Sequence, residues 1–332
     1  MPQRFSEDEL IARFFGPLAG PAGLGLLDDA ACMTPPPGHD LVLTKDLVIA
    51  GVHFFPDDPP GDIARKALRV NLSDLAAKAA EPLGFLLGLA LPDDWNEDWL
   101  AAFAAGLAAD VSCFGVPLLG GDTVKTSGPL AISVTAIGAV PTGSMVPRGG
   151  TLPGDLIYVT GTIGDAALGL KLCHSAAQDR DWIDGLDSQA SDFLGARYLL
   201  PQPRSALSTA LRLHAHAAMD ISDGLAGDLA KMLRLSGTTV ELSIAEVPLS
   251  FAAETALALA PHLVETILTG GDDYEILCAV PLDRSLAFEA AAVDVAVEVT
   301  RIAVAKIGQT PPIFKDRRGS AMALTELSFQ HF

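Results

Sequence analysis

Residues 141–154 hold three prolines and four glycines, so neither a helix nor a strand can run through them. This break divides a chain of 332 residues into two stretches, each of ordinary domain size. The expected domains are 1–140 and 147–332. Apolar residues make up 49% of the chain, enough to fill a core on each side. Strand patterns fall at 41–46, 130–140, 156–160 and 239–244, and helical ones at 62–80, 95–111 and 222–235. Ser6 and Glu9 have the spacing of a capping box at the start of a first helix. The two patterns mix without a β-α-β period, so the fold class is α+β in two domains. The GxxxxGK[ST] and GxGxxG signatures are absent, leaving no P-loop and no Rossmann motif.

A formal net charge of −19 repels the phosphates of DNA and RNA, so no nucleic acid is expected as a partner. The longest apolar run, 83–91, is too short to cross a bilayer, and the acidic, amphipathic start does not read as a secretion signal. None of Cys32, Cys113, Cys173 and Cys278 stands in a CxxC pair. Together these point to a cytoplasmic protein with reduced thiols and no membrane segment.

Charge alone suits a soluble surface as well as a metal site, so position decides. Six acid-bearing segments lie in apolar surroundings. Asp28 and Asp29 are adjacent acids, whose simplest reading is an exposed turn. Thr44, Lys45 and Asp46 follow a short apolar strand, with His53 downstream as either a site residue or a structural histidine. Asn71, Asp74 and Lys78 form a narrow polar stripe on an apolar helix: a buried site, or an internal Asp74–Lys78 ion pair. Gly120, Gly121 and Asp122 would let a ligand approach the backbone, or would make a tight turn. Asp220, Ser222 and Asp223 flank a helix start, with Ser222 as its N-cap. The helix dipole accounts for Asp223 but not for Asp220. Gly270, Gly271, Asp272, Asp273 and Glu275 lead into an apolar strand ending at Val280, and a solvated turn is the plainer alternative. Oxygen-only ligands of this kind suit Mg²⁺.

These motifs come in the order found in thiamine-monophosphate kinases, which the chain resembles from Asp28 to Glu275. That family lies in the aminoimidazole ribonucleotide synthetase-like superfamily, which binds ATP without a P-loop. The resemblance implies an N-terminal domain for metal, ATP and dimerisation and a C-terminal domain adding nucleotide and substrate contacts. It implies magnesium ligands at Asp29, Thr44, Asp46, Asp74, Asp122, Asp220 and Asp223. ATP contacts are implied at Gly121, Asp122, Arg148 and Ser222, and contacts to thiamine monophosphate at His53, Asp272 and Phe329. It implies a homodimer packed through N-terminal sheets. Four places depart from the family's pattern: Leu27 stands at a usual glycine, Lys45 at a small hydroxyl residue, Asp272 at a glutamate, and Ala76-Ala77-Lys78-Ala79-Ala80 replaces a Met-Gly pair after Asp74.

The activity so implied is transfer of the γ-phosphoryl of ATP to the phosphate of thiamine monophosphate. The acceptor's second pKa of about 6 leaves it ionised near neutrality, so no acid or base catalyst is expected. The barrier is anion repulsion, about 4 kcal/mol for one charge pair at 4 Å and an effective dielectric near 20. Several Mg²⁺ ions on carboxylates and the fixed charge of Arg148 would offset it. The alternatives are a sibling synthetase of the superfamily and a non-catalytic nucleotide- or metal-binding protein.

Overall fold

The computed structural model describes residues 6–328 and contains two compact units. Ser6 and Glu9 cap each other as their spacing predicts. The Ser6 amide donates to Glu9 Oε2 (2.8 Å) and the Glu9 amide to Ser6 Oγ (3.3 Å). Helix α1 (Glu7–Leu10) continues as a π-helical turn, Ile11–Phe15, that buries Phe14 and Phe15.

The first unit takes the chain up to Leu75 and the stretch Ala80–Gly143. It contains β1 (His39–Ile49), α2 (Pro60–Ala77) as far as Leu75, β2 (Glu81–Leu91), α3 (Glu97–Phe114), β3 (Leu118–Lys125) and β4 (Ala131–Pro141). The sheet order is β1-β4-β2-β3, antiparallel except for the β2–β3 pair. Asn96 starts α3 by accepting from the Trp99 amide (2.9 Å). Leu68 and Leu72 of α2, Phe103 and Leu107 of α3, and Phe85, Leu89 and Ile132 of the sheet form one cluster that excludes water almost completely. The opposite sheet face is left open in this chain. Leu41, Leu43 and Leu47 of β1, Leu86 of β2 and Val124 of β3 are all exposed, Leu43 to 63%.

The second unit comprises Ala76–Ala79 and the chain from Ser144 onward. Its elements are β5 (Leu156–Thr160), α4 (Asp165–His174), α5 (Arg180–Asp184), α6 (Ser188–Leu199), α7 (Ser208–His214), β6 (Ala217–Asp220), α8 (Leu225–Arg234), β7 (Thr238–Thr239), β8 (Glu241–Ser243), α9 (Phe251–Leu259), α10 (Leu263–Thr269), β9 (Ile276–Val280), α11 (Ser285–Asp294), β10 (Val299–Val304), β11 (Lys306–Ile307) and β12 (Ile313–Lys315). The main sheet is antiparallel in the order β10-β5-β9-β6, with β7–β11 and β8–β12 as separate small pairs. Ile157, Val159 and Leu277 pack in one cluster with α8, whereas Tyr158, Ile276 and Cys278 pack in another with α7 and α11. Both faces of β5 and β9 are therefore covered, and these strands read as unbroken apolar runs instead of alternating ones.

Three sequence expectations change. The strand expected at 41–46 extends to Ile49, so Thr44 and Asp46 lie mid-strand and not at its end. The motif around Gly121 is neither a turn nor an open loop but part of β3. A Cβ at Gly121 would overlap the carbonyl of Leu87 in the neighbouring strand, so the glycine serves strand pairing. Ser222 does not cap a helix: α8 begins at Leu225 after Gly224, with no side-chain cap. The Ser222 carbonyl accepts instead from the Asp272 amide (2.9 Å), which keeps the segment out of the helix.

Among the described residues no helix is long and apolar enough to cross a membrane. Cys32, Cys113 and Cys173 are exposed, whereas Cys278 is fully buried and its thiol is pushed up in pKa by burial. Iodoacetamide should thus add three carboxamidomethyl groups to the native protein and a fourth only in denaturant. Mass spectrometry checks this, and early labelling of Cys278 would contradict the packing.

Candidate active site

The first unit places Thr44, Asp46 and Asp74 together because β1 alternates over α2. Even-numbered residues of β1 from Val42 to Val48 face the helix side and odd-numbered ones the open face. Thr44 Oγ1 donates to Asp74 Oδ2 in a short hydrogen bond. One turn earlier on α2, the fully buried Asn71 accepts the Asp46 amide on Oδ1 (3.0 Å) and donates from Nδ2 to the Ala67 carbonyl (3.1 Å). Asn71 therefore sets the spacing between Asp46 and Asp74, both half-buried. Lys45 lies on the other face and is exposed, so its ammonium projects away from this group.

His53 sits in the turn that closes β1, where an Ala50–Phe54 bridge returns the chain. The Ile49 amide donates to its Nδ1 (3.1 Å), so the neutral ring carries its proton on Nε2. Asp29 is exposed in a bend. Leu27 before it has φ −106°, an ordinary value that requires no glycine. Asp122 is not brought to Thr44 and Asp46. Pairing puts it in one row with Leu47, Ser133 and Gly88 on the open face, whereas Asp46 shares its row with Val134, Leu87 and Gly121.

In the second unit two motif loops are laced together. The Tyr274 amide donates to the Ile221 carbonyl (2.8 Å), and the Ile221 amide to the Glu275 carbonyl (2.8 Å). A Cβ at Gly271 would overlap the Ser222 carbonyl, so glycine is required for this approach. Asp272 and Tyr274 both hold left-handed φ values, +72° and +50°, each costing about 1–3 kcal/mol. Asp220 is buried at the end of β6, and Ser222 and Asp223 are half-buried. Lys231 Nζ contacts Asp223 Oδ2 (2.5 Å) and Asp228 Oδ1 (2.9 Å), while Asp228 Oδ2 accepts the Asp223 amide (2.9 Å). Burial raises the pKa of Asp228 despite its bond to Lys231.

The acids of 272–275 do not make a solvated turn. Asp273 is buried and accepts the amides of Gly164 (2.7 Å) and Ala166 (3.3 Å) at the start of α4. Burial pushes its pKa well above the usual carboxylate range, and Asp165 nearby adds to this. Glu275 is fully buried between Arg197 and Arg204. Asp272 alone of the three is partly exposed. The sequence did not announce Arg197 and Arg204, isolated arginines in helix and loop. Lys231 was missed as well, although its place three residues after Asp228 on α8 was a signal that could have found it. Arg148 is exposed in the irregular segment before β5, and Phe329 lies outside the described residues.

A family model described as the AIR synthase related protein N-terminal domain matches residues 27–140, and its C-terminal counterpart matches 153–309. A thiamine-monophosphate kinase of Caulobacter vibrioides is 45% identical over 90% of this chain and 83% of its own. The chain belongs to the thiamine-monophosphate kinase family. The crystal structure of the family member from Stenotrophomonas maltophilia K279a matches with a TM-score of 0.77 and 36% identity, covering 90% of this chain and 91% of that one. AaThiL complexed with AMPPCP and TMP matches with the same TM-score at 26% identity, covering 98% of this chain and 94% of its own.

Among the described residues no three or more His, Cys, Asp or Glu side chains are gathered closely enough to hold a metal ion. What the first unit does hold is an all-oxygen set with a hydroxyl and two carboxylates on facing elements, which suits Mg²⁺ in donor chemistry. Asn71 carries that arrangement. Asn71→Ala should lower unfolding stability by about 1–3 kcal/mol, because the Asp46 amide loses its buried acceptor. Urea unfolding measures the change, and an unaltered midpoint would show that the amide bridge is dispensable.

Proposed function

We propose that this member of the family phosphorylates thiamine monophosphate to thiamine diphosphate, taking the γ-phosphoryl directly from ATP. The observation that carries the reading is the docking of β1 on α2, in which Thr44 bonds Asp74 and the Asp46 amide bonds Asn71, in a chain 45% identical to a thiamine-monophosphate kinase. The relative complexed with AMPPCP and TMP supports the choice of both substrates. Asp29, Thr44, Asp46, Asp74, Asp122, Asp220 and Asp223 are the proposed holders of several Mg²⁺ ions, which when bound supply positive charge between the two sets of phosphates.

The protein's own groups bind and orient. Arg148 adds a guanidinium for the nucleotide phosphates, and Gly121, Asp122 and Ser222 complete the ATP contacts. His53, held through Nδ1 by the Ile49 amide, contacts the thiamine phosphate together with Asp272 and Phe329. The acceptor oxygen is ionised at neutral pH, so no side chain has to remove a proton. Catalysis is positioning plus electrostatics, without a covalent enzyme intermediate. In this reading residues 1–140 serve metal, ATP and dimerisation, and residues 147–332 add further nucleotide and substrate contacts. The reading places the enzyme in the cytoplasm.

We also propose a homodimer formed through the open sheet face of the first unit. Leu41, Leu43, Leu47, Leu86 and Val124 form an apolar surface there that a second copy would remove from water.

Mixing the protein with ATP, Mg²⁺ and thiamine monophosphate should give thiamine diphosphate and ADP in equal amounts, resolved by chromatography. ATP hydrolysis without transfer would assign a sibling substrate, and binding without any product a non-catalytic role. Asp46→Ala should lower kcat at least about 100-fold with an unchanged circular dichroism spectrum; wild-type turnover in that variant would remove the metal-site reading. Leu43→Arg should convert the dimer to a monomer in light scattering, and a dimer that survives it would place the interface elsewhere.

A further inference from the structure

Resting on that reading, we propose that Glu275, clamped by Arg197 and Arg204, is a positioning residue that holds the acceptor-contacting Asp272. Glu275 has no exposed surface and a filled carboxylate. Oε1 accepts from Arg197 Nη2 (2.8 Å) and Arg204 Nη2 (2.5 Å). Oε2 accepts from Arg204 Nε (2.7 Å) and Thr160 Oγ1 (2.6 Å). Arg197 Nη2 also reaches the Asp273 carbonyl (3.4 Å). One carboxylate thus ties together β5, α6 and the 200–207 segment at the point where β9 begins.

The placement of this cluster gives it a role beyond packing. Asp272 and Tyr274 hold left-handed backbone, which persists only where surrounding bonds over-determine it. Those bonds come from two directions. Ser222 and Ile221 accept the Asp272 and Tyr274 amides, and Asp273 and Glu275 anchor the alternate side chains inward. Glu275 belongs to both sets, since its own carbonyl accepts the Ile221 amide. Loosening its carboxylate frees the end of the loop that fixes where Asp272 stands. Gly121, Asp122 and Arg148, which supply most of the proposed nucleotide contacts, lie outside this loop.

The test is Glu275→Gln, which keeps the shape and loses the charge shared with both guanidiniums. KM for thiamine monophosphate should rise about tenfold and KM for ATP at most about threefold, because Ser222 is the one proposed nucleotide contact laced to this loop. Hydrogen exchange at the Asp272 and Tyr274 amides should quicken at least tenfold, with the β9 amides unchanged. Arg204→Lys, which cannot make the two-pronged contact, should give a smaller rise in the same KM and carries the test if Glu275→Gln does not fold. An unchanged acceptor KM, or equal rises in both KM values, would overturn the proposal. A wild-type protein without turnover would instead remove the assignment of substrate on which it rests.

Discussion

A carboxylate cut off from water must be met by donors, and in the second unit that demand falls on Glu275. Four hydrogen bonds meet it, from two arginines and a threonine that belong to three separate segments. Removing the carboxylate would leave two guanidiniums without their buried counter-charge, which is far more costly than losing an exposed ion pair. The interaction therefore acts as a fixed point for 270–275, and through the lacing at Ile221 and Ser222 for 221–224 as well. Two motifs some fifty residues apart become one surface because a single buried side chain and the backbone around it cannot move independently.

The first unit solves the same problem with a neutral group. Asn71 offers an acceptor to the Asp46 amide and spends a donor on its own helix. An amide suits this place because it has both polarities and no charge to desolvate. The acids are left for chemistry while their spacing is set by a group that does not titrate. In both units a buried, hydrogen-bonded polar residue stands near a carboxylate that is partly exposed.

Much of this was legible in the sequence, and the exceptions have physical causes. The capping box of Ser6 and Glu9 and the strand 156–160 depend on local bonds or unbroken apolar runs, and both stand where their patterns put them. Acids with their apolar flanks were enough to mark the motif loops. What the sequence could not display was which acids point inward. Asp272, Asp273 and Glu275 look alike in a row, and only partners 71 and 78 residues away from Glu275 separate structure from site. Gly121 read as part of a tight turn because a glycine beside an acid carries no mark of the strand pressed against it. Ser222 read as a cap because its carbonyl's distant partner, the Asp272 amide, leaves no local signal.

The alternation of β1 has a consequence for how such a chain can change over time. Thr44 and Asp46 occupy one parity of the strand, and Leu41, Leu43, Lys45 and Leu47 the other. Two sets of residues with different duties are threaded through one segment yet never touch the same neighbours. Each set is free to drift by substitution without disturbing its counterpart, which is how a lysine can stand between Thr44 and Asp46. Loss or gain of a single residue within β1 is another matter. It would move every residue on one side of the change to the opposite face, turning acids outward or leucines toward α2. Such a strand tolerates many replacements and no change of length.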